Sequence, residues 1–138
     1  MSFDVYLQAF RAGDPAGIPL PRIRLAFAPY VVEIDEDYWR IEYSQELSCD
    51  LFLQALADDA NLIHSLSVHR PCEDARLWHA LWQLMAQTGT VFHFPGCEAP
   101  MTRDPAAASA LPASLRDALG APRCIGGAAA MPEALRNV

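Results

Sequence analysis

The stretch SVHRPCEDARLWHALWQLM, residues 67–85, packs the residue types of nucleophilic catalysis into thirteen positions, from Ser67 to His79. Cys72 could be a nucleophile, His69 or His79 its general base, and Asp74 the acid that orients the base. Such a relay needs three side chains to converge, and local geometry separates them. Alternation along a strand sends His69 and Arg70 to opposite sides. His79 follows Asp74 by five residues, which on a helix turns the two apart by about 140°. The same residues read more fully as a strand running into a helix. Pro71 ends the strand, holds Arg70 extended and suits a helix start. Cys72–Asp74 then forms the first turn, where Glu73 and Asp74 meet the positive end of the helix dipole. One chemical role stays open: a thiol at a helix N-terminus can have a lowered pKa, reactive without being catalytic.

The remaining candidates are more dispersed. His64 and His69 sit five apart on one strand and face opposite sides, His79 is on the helix and His93 on the next strand. There is no HxH, HxxxH, CxxC or CxH pair, so a metal site would need convergence by tertiary packing, and no metal or cofactor is expected. From Glu33 to Asp50 the chain carries seven acids, Glu33, Asp35, Glu36, Asp37, Glu42, Glu46 and Asp50, against one base, Arg40. This run lacks calcium-loop spacing. It reads either as a solvated hairpin that guards a sheet edge or as a surface for a basic partner. Tyr38, Trp39 and Tyr43 interleave with the acids, and aromatic residues beside charges are characteristic of interface hot spots. Trp82 lies at the margin of the helix's apolar arc, where it caps the core or meets a partner; the core reading is favoured. No phosphate loop and no GxSxG element is present.

The elements that must position these residues follow from composition and periodicity. The chain has 138 residues and is 52% hydrophobic, enough for one domain with one core. No apolar run nears the roughly 20 residues that span a bilayer. MSFDVYLQAF lacks a basic leader, so no signal peptide is expected and the expected location is the cytoplasm. Cys49, Cys72, Cys97 and Cys124 lie about 25 residues apart and are expected to be free thiols in a reducing compartment. The net charge is −7 and all ten basic residues are arginine. Such a domain repels phosphate backbones and attracts basic proteins, so the expected partner is neither nucleic acid nor membrane.

In SFDVYLQAF, Phe3, Val5 and Leu7 alternate with Asp4, Tyr6 and Gln8, a half-buried strand. RAGDPAGIPLP is a loop, and PRIRLAFA predicts a short helix from Pro21 to Ala28. VVEIDEDYWRIEYSQELSCDLFLQAL predicts two or three strands, with a turn at SQE and another at DDAN. LIHSLSVHR is a further strand. A long helix is predicted over 73–88, with Leu77, Ala80, Leu81, Leu84 and Met85 as its apolar stripe, Trp78 and Trp82 widening it, and Gly89 at its C′ position. TVFHFPG is a strand, PASLRDALG a short helix, RCIGG an edge strand and AAAMPEALRNV a short or frayed terminal helix. The whole predicts a single α+β domain over 1–138. Its antiparallel sheet has about five strands, with one long helix and shorter helices on one face. Residues 1–95 form the main core and the Pro/Ala-rich residues 96–138 wrap over it.

SFDVYLQAFRAGDPAG, SVHRPCEDARLWHALWQLMAQTGTVFHFPG and LPASLRDALGAP together span roughly residues 2 to 122. In these segments the chain resembles small bacterial immunity proteins of polymorphic and type VI toxin–immunity systems. The resemblance implies a cytoplasmic, non-enzymatic inhibitor that occludes the active site of a cognate toxin domain. It brings no catalytic motif and assigns no residue. Combined with the acidic run, it sets the expected partner-binding residues at Asp35, Glu36, Asp37, Tyr38, Arg40, Glu42 and Glu46, facing a basic toxin surface. Two other readings stand beside it: a small enzyme using Cys72 or a histidine–carboxylate site, and a homo-oligomeric module joined by an edge strand.

Overall fold

A computed structural model describes residues 4–138, so Phe3 lies outside the described residues. Strand β1 (Val5–Arg11) alternates as its sequence requires, with Val5, Leu7 and Ala9 buried and Tyr6 and Gln8 only partly so. Ala12 and Gly13 then turn the chain, both with positive φ, 51° and 83°. That is the conformation a two-residue hairpin loop demands. Two short strands follow, β2 (Asp14–Pro15) on β1 and β3 (Ile18–Pro19) on β7 (Asp59–His69). Helix α1 (Leu20–Phe27) has proline in its first turn and buries Ile23 and Phe27, which lie four apart on one stripe.

The acidic segment forms β4 (Val31–Ile34) and β5 (Tyr38–Glu42), and β6 (Ser48–Leu56) returns to pair with both β5 and β7. The SQE turn forms between β5 and β6. The DDAN turn tightens to Ala57-Asp58, and β7 starts at once with Asp59 opposite Leu56. Helix α2 (Ala75–Leu84) is shorter than 73–88. The Asp74 carboxylate accepts the Arg76 backbone N–H at 2.8 Å and starts the helix there. The five residues of the predicted stripe are buried, as is Trp78; Trp82 is half-buried.

After β8 (Thr90–His93), the chain adds β9 (Met101–Thr102), a 3₁₀ turn (Pro105–Ala110), α3 (Ala113–Leu119), β10 (Arg123–Cys124) and α4 (Ala130–Arg136). Met101, Ile125 and Met131 from this tail are buried in the main core. The sheet order is β10-β9-β8-β1-β7-β6-β5-β4, with β2 and β3 paired off this path. The fold is α+β, with ten strands among the described residues rather than about five. It is mixed rather than wholly antiparallel, because β10 runs parallel to β9. Four of the ten strands have two residues each, too few to show a period of two in sequence.

The helices also differ from their predicted placement. α1, α2 and α4 cover one face, but the 3₁₀ turn and α3 do not. Leu111 and Leu115 pack on Phe10 and Val91, and Val91 pairs with Gln8 on the opposite face. This covers one corner of the second face and leaves the rest open.

Gly89 is not the helix C′ residue, because α2 ends at Leu84 and a short turn intervenes. Its φ is +90°, its carbonyl accepts the Phe10 N–H at 2.9 Å, and an added Cβ would strike the Phe10 carbonyl oxygen. At Gly13, also at positive φ, a Cβ would meet nothing within 4 Å. Gly13→Ala should therefore lose about 1 kcal/mol from backbone strain alone. Gly89→Ala should lose about 3 kcal/mol or more, because a backbone clash adds to the strain. Urea denaturation of the two variants checks the difference; equal losses would show that the close approach to Phe10 is not tight.

Candidate functional site

The structure takes the residues of the opening stretch apart. His69 ends β7, where its Nε2 lies 3.3 Å from the Ser67 hydroxyl and 3.5 Å from the Asp4 carboxylate. Its ring packs on Phe52 at 4.3 Å. Cys72 belongs to the other side of the sheet, packed against the core cluster that contains Cys49. Asp74 is held by Arg76, whose Nε and one terminal nitrogen donate to its two oxygens at 2.9 and 2.8 Å. His79 is exposed on α2 and meets Gln83. The Cys72–histidine–Asp74 relay is therefore not assembled. His64 contacts the Ala9 and Ala16 carbonyls through Nδ1, and His93 contacts Gln8 at 2.8 Å, with burial lowering its pKa.

Two local expectations are corrected at the joint. Arg70 is not extended before Pro71 but has φ +52°, a left-handed turn. Cys72–Asp74 is not the first helical turn, because Asp74 is the N-cap and Cys72 precedes it in the connecting loop. That loop packs Cys72 against the core cluster that contains Cys49, close enough for the Cys49 thiol to serve Cys72 as a hydrogen-bond donor. The bond lowers the Cys72 pKa below the ordinary thiol value. Cys49, which loses its proton only by giving up that bond, is raised, and burial raises it further. Beside them Tyr43 is buried with its hydroxyl unpartnered. The Arg76 guanidinium lies 5.0 Å from the Tyr43 ring and 5.0 Å from the Tyr30 ring. The thiol pair was not legible at a separation of 23 residues; only the β6–β7 register, Asp50 opposite His69, brings the two together.

The acidic segment presents a different surface. Asp35, Glu36 and Asp37 form the exposed β4–β5 turn, and the Asp35 carboxylate accepts the Glu36 N–H at 2.8 Å. Trp39, Ile41 and Tyr43 point into the core, so Tyr38, Arg40 and Glu42 point to the opposite, open face. There Tyr38 donates to Asp50 at 2.9 Å, which raises the Tyr38 pKa because ionisation would give up that hydrogen bond. Arg40 stands between Glu33 and Asp50 in register. Glu46 is exposed in the β5–β6 turn. It is separated from Asp35–Asp37 by the five residues of β5, about 17 Å of strand. Asp35, Glu36 and Asp37 share one end of the sheet, and Tyr38, Arg40 and Glu42 share its open face, with Glu42 toward the other end, where Glu46 lies.

The register extends this face further than the sequence indicated. Tyr38 pairs with Phe52, Phe52 with Ser67, Ser67 with Tyr6, and Tyr6 with His93. These five residues form one row across five strands, about 19 Å long at ordinary strand spacing. Tyr38 and Phe52 are 5.3 Å apart, and Tyr6 stacks on His93 at 5.5 Å. Asp50 and His69 sit side by side in the next row. On the other side of the molecule, a cleft of about 640 Å³ lies between α1, α2 and the start of α4, lined by Leu25, Tyr30, Trp78, His79, Gln83 and Pro132. Among the described residues no group of three or more His, Cys, Asp or Glu could hold a metal ion, and no helix is long and apolar enough to cross a membrane.

No protein-family profile matches the chain, and no curated protein or solved structure is significantly similar to it.

Arg76 holds the Asp74 carboxyl below the usual carboxylate range, so Asp74 gives up its proton more readily folded than unfolded. The stabilisation is complete above the unfolded value of about 3.9 and is lost as pH falls through the lower folded value. Asp74→Asn keeps a capping oxygen but cannot ionise. The stability gap between wild type and this variant should narrow steadily below about pH 4. A gap independent of pH in thermal unfolding would assign the stabilisation to the cap alone. Tyr43→Phe removes an unpartnered buried hydroxyl while keeping the ring. It should leave stability unchanged or raise it by about 1 kcal/mol; a loss above that in urea unfolding would reveal a partner for the hydroxyl.

Proposed function

We propose that this chain is a non-enzymatic binding protein of the immunity type, which neutralises a cognate toxin domain by covering its active site. The observation that carries the reading is the open aromatic row, Tyr38-Phe52-Ser67-Tyr6-His93, running to the exposed acidic turn Asp35–Asp37. Half-buried aromatic rings already packed on neighbours lose little conformational freedom when a partner covers them. The acids at the end of the row, within a chain of net charge −7, favour a basic partner and speed its encounter. The contact surface in this reading comprises Asp35, Glu36, Asp37, Tyr38, Arg40 and Glu42, continued by Phe52 and Tyr6, with Glu46 at the far rim.

The partner to test is a toxin domain encoded beside this chain's gene. Reversing Asp35, Glu36 and Asp37 to lysine should cut its association rate about tenfold or more at low salt and flatten the salt dependence. Phe52→Ala should act mainly on dissociation, by about 1–2 kcal/mol. Surface plasmon resonance separates the two effects. Wild-type kinetics in both variants would remove this surface from the proposal.

One observation favours a second reading, an oligomer joined through β4. This edge strand pairs only with β5 among the described residues, and Val32 and Ile34 on it are each 55% exposed. A dimer by light scattering that Ile34→Lys converts to monomer would support this reading; a monomeric wild type would dismiss it.

A further inference from the structure

The cysteine pair has a use that neither the binding surface nor the core requires. Cys49 is 3% exposed on β6, and Cys72 is half-buried in the loop between β7 and α2. The last β6–β7 pair is Asp50 with His69, so residue 70 falls beside Cys49. The left-handed turn at Arg70 redirects the chain there, and two residues on Cys72 packs against the core cluster that contains Cys49. Each thiol shifts the acidity of the other, next to the unpartnered hydroxyl of Tyr43. One thiol is thus open to small solutes, and a second, sheltered one lies within reach of it. This is the arrangement of an attacking and a resolving cysteine. Cys124 is exposed and Cys97 half-buried, and neither shares the contact.

We propose that Cys49 and Cys72 are an oxidisable dithiol, which a hydroperoxide converts to an intramolecular disulfide tying the β7–α2 joint to β6. In the first step the Cys72 thiolate attacks the terminal peroxide oxygen. An S–O bond forms, the O–O bond breaks, and the departing oxygen takes a proton to leave as water or an alcohol. The product is a sulfenic acid on Cys72. In the second step the Cys49 sulfur attacks the Cys72 sulfur. The S–S bond forms, the S–O bond breaks, and hydroxide leaves as water with the Cys49 proton. Two thiols together lose two electrons, and the two peroxide oxygens gain them. The hydrogen bond from Cys49 favours the Cys72 thiolate that the first step needs. The disulfide closes the chain from residue 49 to 72, a loop long enough for a measurable gain in stability.

The test uses the full chain with dilute hydrogen peroxide, followed by intact mass and non-reducing peptide mapping. The expected product has lost two hydrogens and links the peptides holding Cys49 and Cys72. Its thermal midpoint should rise by several degrees, and dithiothreitol should reverse both changes. Cys72→Ser should abolish the link, and the double variant Cys97→Ser/Cys124→Ser should keep it. If Cys72→Ser does not fold, the map of the wild-type chain decides alone. Oxygen added to Cys72 without a link, a link through Cys97 or Cys124, or no reaction with excess peroxide would each overturn the proposal.

Discussion

The register of β7 between β1 and β6 is the constraint on which the rest of the molecule depends. Val5, Val68, Leu51 and Trp39 form one row across four strands, each at most 2% exposed. Fully burying such a side chain is worth about 1.5–3 kcal/mol. A one-residue slip of β7 would turn its buried set to water and bring its polar set into the core. The register therefore has no near competitor. It also decides what the other face shows, because the residues between the buried ones can only point the other way. The row from Tyr38 to His93 is a consequence of the core.

The same register positions the joint after β7. With His69 opposite Asp50, the chain leaves the sheet beside Cys49 and must turn toward α2 at once. Arg70 makes that turn at positive φ, a conformation that costs a residue with a side chain on the order of 1–3 kcal/mol. Several contacts around it offset the cost. Arg70 reaches Asp50 at 3.5 Å, Asp74 caps α2, and Arg76 ties Asp74 to the Tyr43 carbonyl and ring. Proline was expected to keep Arg70 extended; tertiary contacts on both sides of it prevail over that local preference.

Long, regular elements were legible in the sequence because their periods repeat several times. The alternation of Val5 and Leu7, and of Trp39, Ile41 and Tyr43, is present in the structure, as is the stripe of α2. Two-residue strands such as Met101–Thr102 have no period to read and exist only because a neighbour is there to pair with. The second-face packing of Leu111 on Phe10 and Val91 likewise depends on a partner distant in sequence. For the site, Tyr38, Trp39 and Tyr43 were grouped as aromatics of one acidic surface, but strand alternation buries Trp39 and Tyr43 and leaves only Tyr38, with Arg40 and Glu42, on the open face. The reach of that face to Phe52, Tyr6 and His93 was not legible, because it needs the order of five strands. Glu46 was grouped with Asp35–Asp37 by nearness in sequence, whereas a strand between two turns places them at opposite ends.

An open face alone says little, since antiparallel sheets often leave one face wet. The kind of residue on it says more. A merely solvated face has no need for a run of rings, and here Tyr38, Phe52 and His69 pack on one another while Tyr6 stacks on His93. The ionisable groups in and beside that row are partly matched: Tyr38 bonds Asp50, Arg40 stands between two acids, and His69 lies near Asp4. The unmatched charge collects at the exposed turn of Asp35–Asp37. Fields from exposed charges fade within about 8 Å at physiological salt, so in the proposed complex this turn would act on approach and orientation more than on the bound state. In that complex desolvation of the rings would govern how long the partner stays. The two features would be complementary in the proposed encounter, acting at different stages of it, and the turn that ends β4 places them side by side.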